Sequence, residues 1–155
     1  MPGAPDSIAD IGAGAGFPGL PMAILHPDRR VTLIESRERK HHFQRLAIRE
    51  LGLANADARL GRAEVLEPEP HAAAIAQATA KPDAALRLLV PWLRPGGLAL
   101  IPGAADAPRL AAHPLVEPLP LVRYGVPLGG PERTLWVGRK RRLPGDGRLP
   151  SGCDT

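Results

Sequence analysis

The amino-acid sequence predicts an α/β domain with a Rossmann-like, mostly parallel sheet that ends in an antiparallel strand pair. Three observations carry this. The short run Ser7-Ile8-Ala9 leads to an acid, Asp10, and then to a glycine-rich turn, Gly12-Ala13-Gly14-Ala15-Gly16-Phe17-Pro18-Gly19. Next comes Leu20-Pro21-Met22-Ala23-Ile24-Leu25, which can form a helix, so the layout is strand, tight turn, helix. A second β-branched run, Val31-Thr32-Leu33-Ile34, also ends in an acid, Glu35.

The remaining elements follow in order. A second helix is predicted from Arg37 to Leu51, with Phe43, Leu46, Ala47 and Leu51 at helical spacing and Gly52 ending it. Ala56–Leu60 reads as a third strand and Ala73–Ala76 as a weak fourth. Asp83 caps a predicted helix through Ala85, Leu86, Leu89, Val90 and Leu93, stopped by Pro95-Gly96. Leu98–Ile101 is the predicted fifth strand. Leu115–Val122 and Leu135–Arg139 form the antiparallel pair. Residues 1–142 are read as one domain and 143–155 as a disordered Gly/Pro/Ser-rich tail.

At 155 residues the chain has the length of a single domain. Its apolar fraction is 44% but its aromatic fraction only 3%, which predicts a core built with few large rings, Trp92 and Trp136 packing on the sheet. Nineteen prolines and seventeen glycines predict long loops, notably Glu67–Pro70 and Pro102–Pro131. No apolar run approaches the roughly 20 residues of a membrane helix. The N-terminus has no basic-then-apolar leader, and the single Cys153 can form no internal disulfide, so a cytoplasmic location is expected. His41 and His42 are neighbours on a helix and diverge, and neither H-E-x-x-H nor C-x-x-C occurs, so no metal is expected. Ser7, Ser36 and Ser151 lack the setting of a nucleophile.

The glycine turn admits two ligands. G-x-G-x-x-G fits Gly14 to Gly19, the fingerprint of a dinucleotide site and of an NAD-binding oxidoreductase. D-x-G-x-G-x-G fits Asp10 to Gly16, the pattern of class I methyltransferases that use S-adenosylmethionine. Asp10 at the strand end suits a cationic or amine-bearing ligand better than a pyrophosphate, which wants backbone N–H groups. A flexible Gly/Ala turn without a ligand is the plain alternative. Glu35 lies 19 residues after Gly16, at the distance where an acid meets ribose hydroxyls through two charge-assisted bonds.

Taken together, D-I-G-A-G-A-G-F-P-G at 10–19, Val31–Ser36, Arg39-Lys40, Phe43, Glu50-Leu51-Gly52-Leu53, Gly61-Arg62-Ala63-Glu64 and Pro131–Val137 resemble one family. It is the bacterial 16S ribosomal RNA guanine-N7 methyltransferase family of the glucose-inhibited division protein B type. The resemblance covers about residues 5 to 142 and is strongest over the first 65. It implies S-adenosyl-L-methionine as cofactor. Contacts are implied for Gly12 and Phe17, within a loop that also holds Asp10 and Gly14, with Glu35 on the ribose and Ala63 and Glu64 beside the adenine. Gln77 stands where the family has a cofactor-touching Arg, and Pro102 where it has a Lys. Pro102 also predicts that the fifth strand ends at Ile101 or lies at an edge. The family carries a helical segment ahead of its glycine loop, so the chain reads as an N-terminally truncated, divergent member.

The implied substrate is 16S ribosomal RNA or the small ribosomal subunit. The net charge of +4 and pI of about 10 agree with an RNA partner. Arg39 and Lys40 lie in a basic stretch early on helix two with Arg37 and Arg45, and Arg139 and Lys140 open the block Arg139–Arg142. Ordinary solubilising charge is the competing reading of both patches. Guanine N7 carries no proton, so no general base is needed and no catalytic residue is assigned. A monomer is expected. A degenerate relative that binds the cofactor without catalysis is the second reading, on the strength of Gln77 and Pro102.

Overall fold

The structure is a computed structural model that describes residues 4–77 and 81–144. Strands β1 (Ser7–Ile11), β2 (Arg30–Glu35), β3 (Ala56–Leu60), β4 (His71–Ile75) and β5 (Leu93–Gly103) run parallel. Helices α1 (Gly19–Leu25), α2 (Glu38–Glu50) and α3 (Pro82–Leu89) connect them. β6 (Val116–Pro118), β7 (Val122–Gly125) and β8 (Glu132–Lys140) complete the sheet, with β8 antiparallel to β5. The order is β3-β2-β1-β4-β5-β8-β6, and β7 also pairs with β8. Strand order therefore reverses at β1, between β2 and β4, which opens a crevice at the strand carboxyl ends.

β1 and β4 are buried along their whole length, as interior parallel strands require. Ala9, Ala73, Ala74 and Ala99 are completely buried, and their small side chains let the helices approach the sheet. Trp92 is the largest ring in this core, packed with Leu86, Leu89 and Leu93, and Trp136 lies half-buried against the same cluster. Both tryptophans thus pack as the sequence predicts.

Several elements depart from expectation. On α2 the buried side chain is Gln44, with Ala47 and Ile48 half-buried, while Phe43, Leu46 and Leu51 are exposed. The helix turns its Gln44 side inward because the carbonyl of Gly14 needs a donor there, which Gln44 Nε2 supplies at 2.7 Å. The helix ends as predicted: Gly52 takes φ +63°, its N–H donates to Arg49 O, and Leu53 N–H reaches Ile48 O. α3 begins with Pro82 at its first turn and stops at Leu89. Asp83 does not cap it; its carboxylate accepts the N–H of Ala111. Val90–Trp92 then form a 3-10 turn, and Leu93 already belongs to β5.

β4 starts at His71, earlier than predicted, because the imidazole is buried and bonded to Thr32 Oγ1 and to the Glu69 carbonyl. Burial holds the His71 pKa below its ordinary value. β5 contains the Pro95-Gly96-Gly97 turn as a bulge: His71 faces Leu93, but Ala73 faces Leu98. β5 also runs past Pro102 to Gly103, contrary to the expected end at Ile101. Leu100 O accepts the Ala76 N–H, so residues 100 and 102 turn their polar groups toward β4. The β4 pairing ends at Leu100, and the missing donor of Pro102 costs no ladder bond. The predicted strand Leu115–Val122 is two short strands, β6 and β7, on successive stretches of β8. Of the tail expected to be disordered, 143–155, residues 145–155, with Ser151 and Cys153, lie outside the described residues. No helix among the described residues is long and apolar enough to cross a membrane.

Candidate functional site

The loop after β1 is built from its glycines. Gly12, Gly14 and Gly16 adopt φ of +69°, +58° and +94°, where a Cβ is strained, so alternate residues here must be glycine. The N–H groups of Gly12 and Ala13 both donate to Ile34 O, at 2.8 and 3.0 Å. The loop therefore lies against the end of β2. Gly14 is held from two sides. Its N–H donates to Glu35 Oε2 at 2.9 Å and its carbonyl accepts from Gln44.

Glu35 is buried, and its second oxygen accepts the N–H of Arg37 at 2.9 Å. Each carboxylate oxygen thus receives one backbone donor and keeps a lone pair for a ligand hydroxyl. The loop and the acid 19 residues after Gly16 are brought together, as the spacing predicts.

Asp10 has a different position. It is 1% exposed and lies behind the loop, where its Oδ2 accepts the Gly19 N–H at 2.8 Å and so ties the start of α1 to β1. Its Oδ1 has no partner among the described residues. Burial raises its pKa to about 7, opposed by the Gly19 bond and reinforced by the charge of Glu35.

Beside the loop, a cavity of about 170 Å³ is lined by Gly12, Ile34, Ser36, Gly61, Ala63 and Glu64, among others. Ala63 is fixed through its carbonyl, which accepts the indole N–H of Trp92 at 3.2 Å. No acceptor for the Ala63 N–H is found among the described residues. Glu64 is exposed, and its carboxylate accepts from Arg62 Nε at 2.9 Å. Its own backbone N–H and Arg62 hold its pKa below the usual carboxylate value. Trp92 supports this loop from below and also carries the Arg59 guanidinium 5.1 Å from its ring centre. That support for Ala63 was not legible in the sequence, where Trp92 reads only as core.

Phe17 is 66% exposed on the open side of the loop. Gln77 is exposed just beyond β4, and Pro102 sits near the end of β5. Both lie at the carboxyl end of the strands, the end of the sheet that carries the glycine loop. Lys40 belongs there too: a Cβ on Gly14 would lie 3.8 Å from its ammonium. Arg39, its neighbour on α2, is exposed. The second basic pair lies elsewhere. Arg139 is exposed at the opposite end of the sheet, paired in register with Leu98, and Lys140 donates to the carbonyls of Val90 and Leu93.

The fold has clear counterparts among solved structures. A putative methyltransferase, yhhF, from Escherichia coli superposes with a TM-score of 0.67 at 14% identity, over 88% of this chain and 78% of that one. A point mutant of MtNAS in complex with S-adenosylmethionine gives 0.67 at 16% identity, over 88% and 55%. These likenesses place the sheet in the Rossmann-like fold of class I methyltransferases. Sequence relatives are closer. The ribosomal RNA small subunit methyltransferase G of Deinococcus radiodurans is 38% identical over 148 residues, 86% of this chain and 57% of that protein. Its counterpart in Gloeobacter violaceus is 42% identical over 100 residues, 61% and 40%. In Lactococcus lactis the identity is 33% over 152 residues, 90% and 64%. The chain thus spans from 40% to 64% of the length of these curated relatives. Residues 2–112 match the family model of the rRNA small subunit methyltransferase G, GidB. With a glycine loop braced on Glu35 at the point where strand order reverses, and with this match over most of its length, the chain belongs to the GidB family of rRNA small subunit methyltransferases.

Proposed function

We propose that this chain binds S-adenosylmethionine in the crevice between the glycine loop and the Gly61–Glu64 turn, and methylates guanine N7 of 16S ribosomal RNA. The observation that carries the reading is the pairing of Glu35 with Gly14. It presents a buried carboxylate with free lone pairs next to a backbone that no Cβ obstructs. The residues fit the cofactor chemically. Glu35 accepts the ribose hydroxyls, and the unclaimed N–H of Ala63 faces an adenine acceptor, with Glu64 beside it. Phe17, Gly12 and Gly14 border the methionine side. Asp10 stays behind them and keeps the loop on α1.

When bound, S-adenosylmethionine supplies an activated methyl group, whose bond to sulfur breaks with its electron pair left on sulfur as guanine N7 bonds to carbon. The chain's contribution is to orient and to exclude water, and alignment alone removes much of such a barrier. Ile11, Ile34 and Leu88 wall the cavity with apolar surface. N7 has a free lone pair and no proton, so no side chain has to act as a base. Lys40 and Arg39 supply positive charge at the loop for the RNA backbone. A cytoplasmic, monomeric protein belongs to this reading. Membership in the family leaves an NAD-binding oxidoreductase without support.

A second reading has its own observations. Gln77 and Pro102 lie at the same end of the sheet as the loop and offer no charge there, which favours a relative that binds the cofactor without turning over. Calorimetric titration with S-adenosylmethionine and with NAD tests the binding. Heat with the first and none with the second is expected, and no heat with millimolar S-adenosylmethionine overturns both readings. Methyl incorporation into small ribosomal subunits lacking the mark then separates an enzyme from a binding relative.

A further inference from the structure

A second polar cavity opens at the other end of the sheet. It measures about 680 Å³ and is lined by Asp6, Arg94, Gly96, Gly97, Arg139 and Arg142, among others. Three elements build it. The β5 bulge carries Arg94 and the two glycines, the end of β8 carries Arg139, and the chain beyond β8 brings Arg142 over the bulge. The fit is close: a Cβ on Gly96 would lie 3.3 Å from Arg142 Nε.

Three guanidinium groups thus meet one carboxylate. Arg94 pairs with Asp6 at 3.2 Å. Arg139 and Arg142 have no acidic partner among the described residues, and both are exposed. Glu117 stands opposite Arg139 on β6 without closing an ion pair. Lys140, the next residue on β8, turns its ammonium to the Val90 and Leu93 carbonyls and adds nothing to this cleft. Three guanidinium groups gathered around a single carboxylate repel one another unless a further anion joins them, and their planar fork suits phosphate oxygens. The volume exceeds that of one phosphate and admits a stretch of sugar-phosphate backbone.

We propose that this cleft binds the phosphate backbone of the RNA substrate, at a site separate from the methyl-transfer crevice. The proposal rests on the RNA reading given above. β1 joins the two sites, and its five residues at about 3.3 Å each set them roughly 15 Å apart at opposite sheet ends. The cleft thus offers the RNA backbone a second anchor, beyond the contacts made at the glycine loop.

The test is fluorescence anisotropy of the full chain with an unmethylated 16S ribosomal RNA transcript, over a range of salt. Arg139→Gln combined with Arg142→Gln is expected to weaken binding roughly 10- to 100-fold and to lower the salt slope by about 2, while S-adenosylmethionine affinity stays unchanged. Asp6→Asn, which removes the one carboxylate of the lining, is expected to tighten RNA binding about twofold to fivefold, since an uncompensated charge is added to the phosphate site. Unchanged RNA affinity and salt slope in both variants overturns the cleft. Inorganic phosphate binding that the double variant loses, with RNA affinity untouched, marks a small-anion site and also overturns it. A wild-type chain that binds S-adenosylmethionine but not the transcript fails the functional reading itself, a result distinct from the other two.

Discussion

The N–H of Gly14 donates to Glu35 Oε2 at 2.9 Å, so the carboxylate that ends the second strand holds up the loop that follows the first. Glu35 is therefore a brace for the loop and, in the function proposed above, also the acid that meets the ligand. The two tasks are separable by substitution. Glu35→Gln keeps one acceptor oxygen but sets an amide N–H₂ against either Gly14 N–H or Arg37 N–H. Leaving a buried donor unpaired costs about 1–3 kcal/mol of stability. S-adenosylmethionine affinity should fall at least about tenfold by calorimetry, together with faster hydrogen exchange at Gly14. Native affinity with a loosened loop would sever the link between brace and ligand.

Asp10 makes stability depend on pH in an unusual direction. Its native pKa is raised to about 7 from an ordinary 3.8. Between those values the native chain holds a proton that the unfolded chain has lost, so stability falls as pH rises from about 4 to 7. The decrement is complete above about 7 and absent below about 4. Asp10→Asn retains an oxygen for the Gly19 N–H and cannot ionise. Its stability relative to the wild type should rise by on the order of a few kcal/mol between pH 4.5 and pH 8, by denaturant titration. A constant difference across that range would show that Asp10 ionises normally.

Gly19 and Gly52 make a contrasting pair. A Cβ on Gly19 would sit 2.8 Å from Asp10 Oδ2 and 3.0 Å from Leu33 Cδ2, both in buried side chains. Gly19→Ala should cost about 1–3 kcal/mol through overpacking. A Cβ on Gly52 meets nothing within 4 Å, but the residue has φ +63°. Gly52→Ala should cost only about 1–2 kcal/mol, from the left-handed conformation alone. Thermal unfolding ranks the two, and only Gly19→Ala should alter the Asp10 pH dependence.

Trp92 links the core to the Gly61–Glu64 turn, the side where the cofactor is proposed to bind. Trp92→Phe removes the donor to Ala63 O and leaves a smaller, weaker platform for Arg59. A stability loss of about 1–3 kcal/mol is expected from the unpaired carbonyl and the smaller ring. Cofactor affinity should fall about threefold to tenfold, about 0.7–1.4 kcal/mol, with the Gly61–Glu64 turn loosened in hydrogen exchange. An unchanged affinity would mean that the turn needs no support from Trp92.

Much of the fold was legible because its signals are local. Glycines at alternate loop positions, acids at the ends of β1 and β2, and Gly52 after α2 each follow from backbone conformation, which neighbouring residues dictate. What was not legible depended on distant partners. Phe43 and Leu46 read as core at helical spacing, yet Gln44 is buried because a carbonyl 30 residues away needs its amide. Asp83 read as a cap, yet it bonds Ala111 across another loop. Asp10 read as a ligand-side acid at the strand end, and in the structure it is buried and ties the start of α1 to β1.

The sequence by itself determined the alternation of strands and helices, the glycine loop, the acid paired with it, and the likeness to one methyltransferase family. These reside in residue type and short spacing. Only the tertiary structure decided which groups stand free for a ligand and which are spent on the chain itself. Arg139 and Lys140 are adjacent cations in the sequence. Successive residues of a strand face opposite ways, so one opens into a cleft while the other is held by carbonyls from another part of the chain.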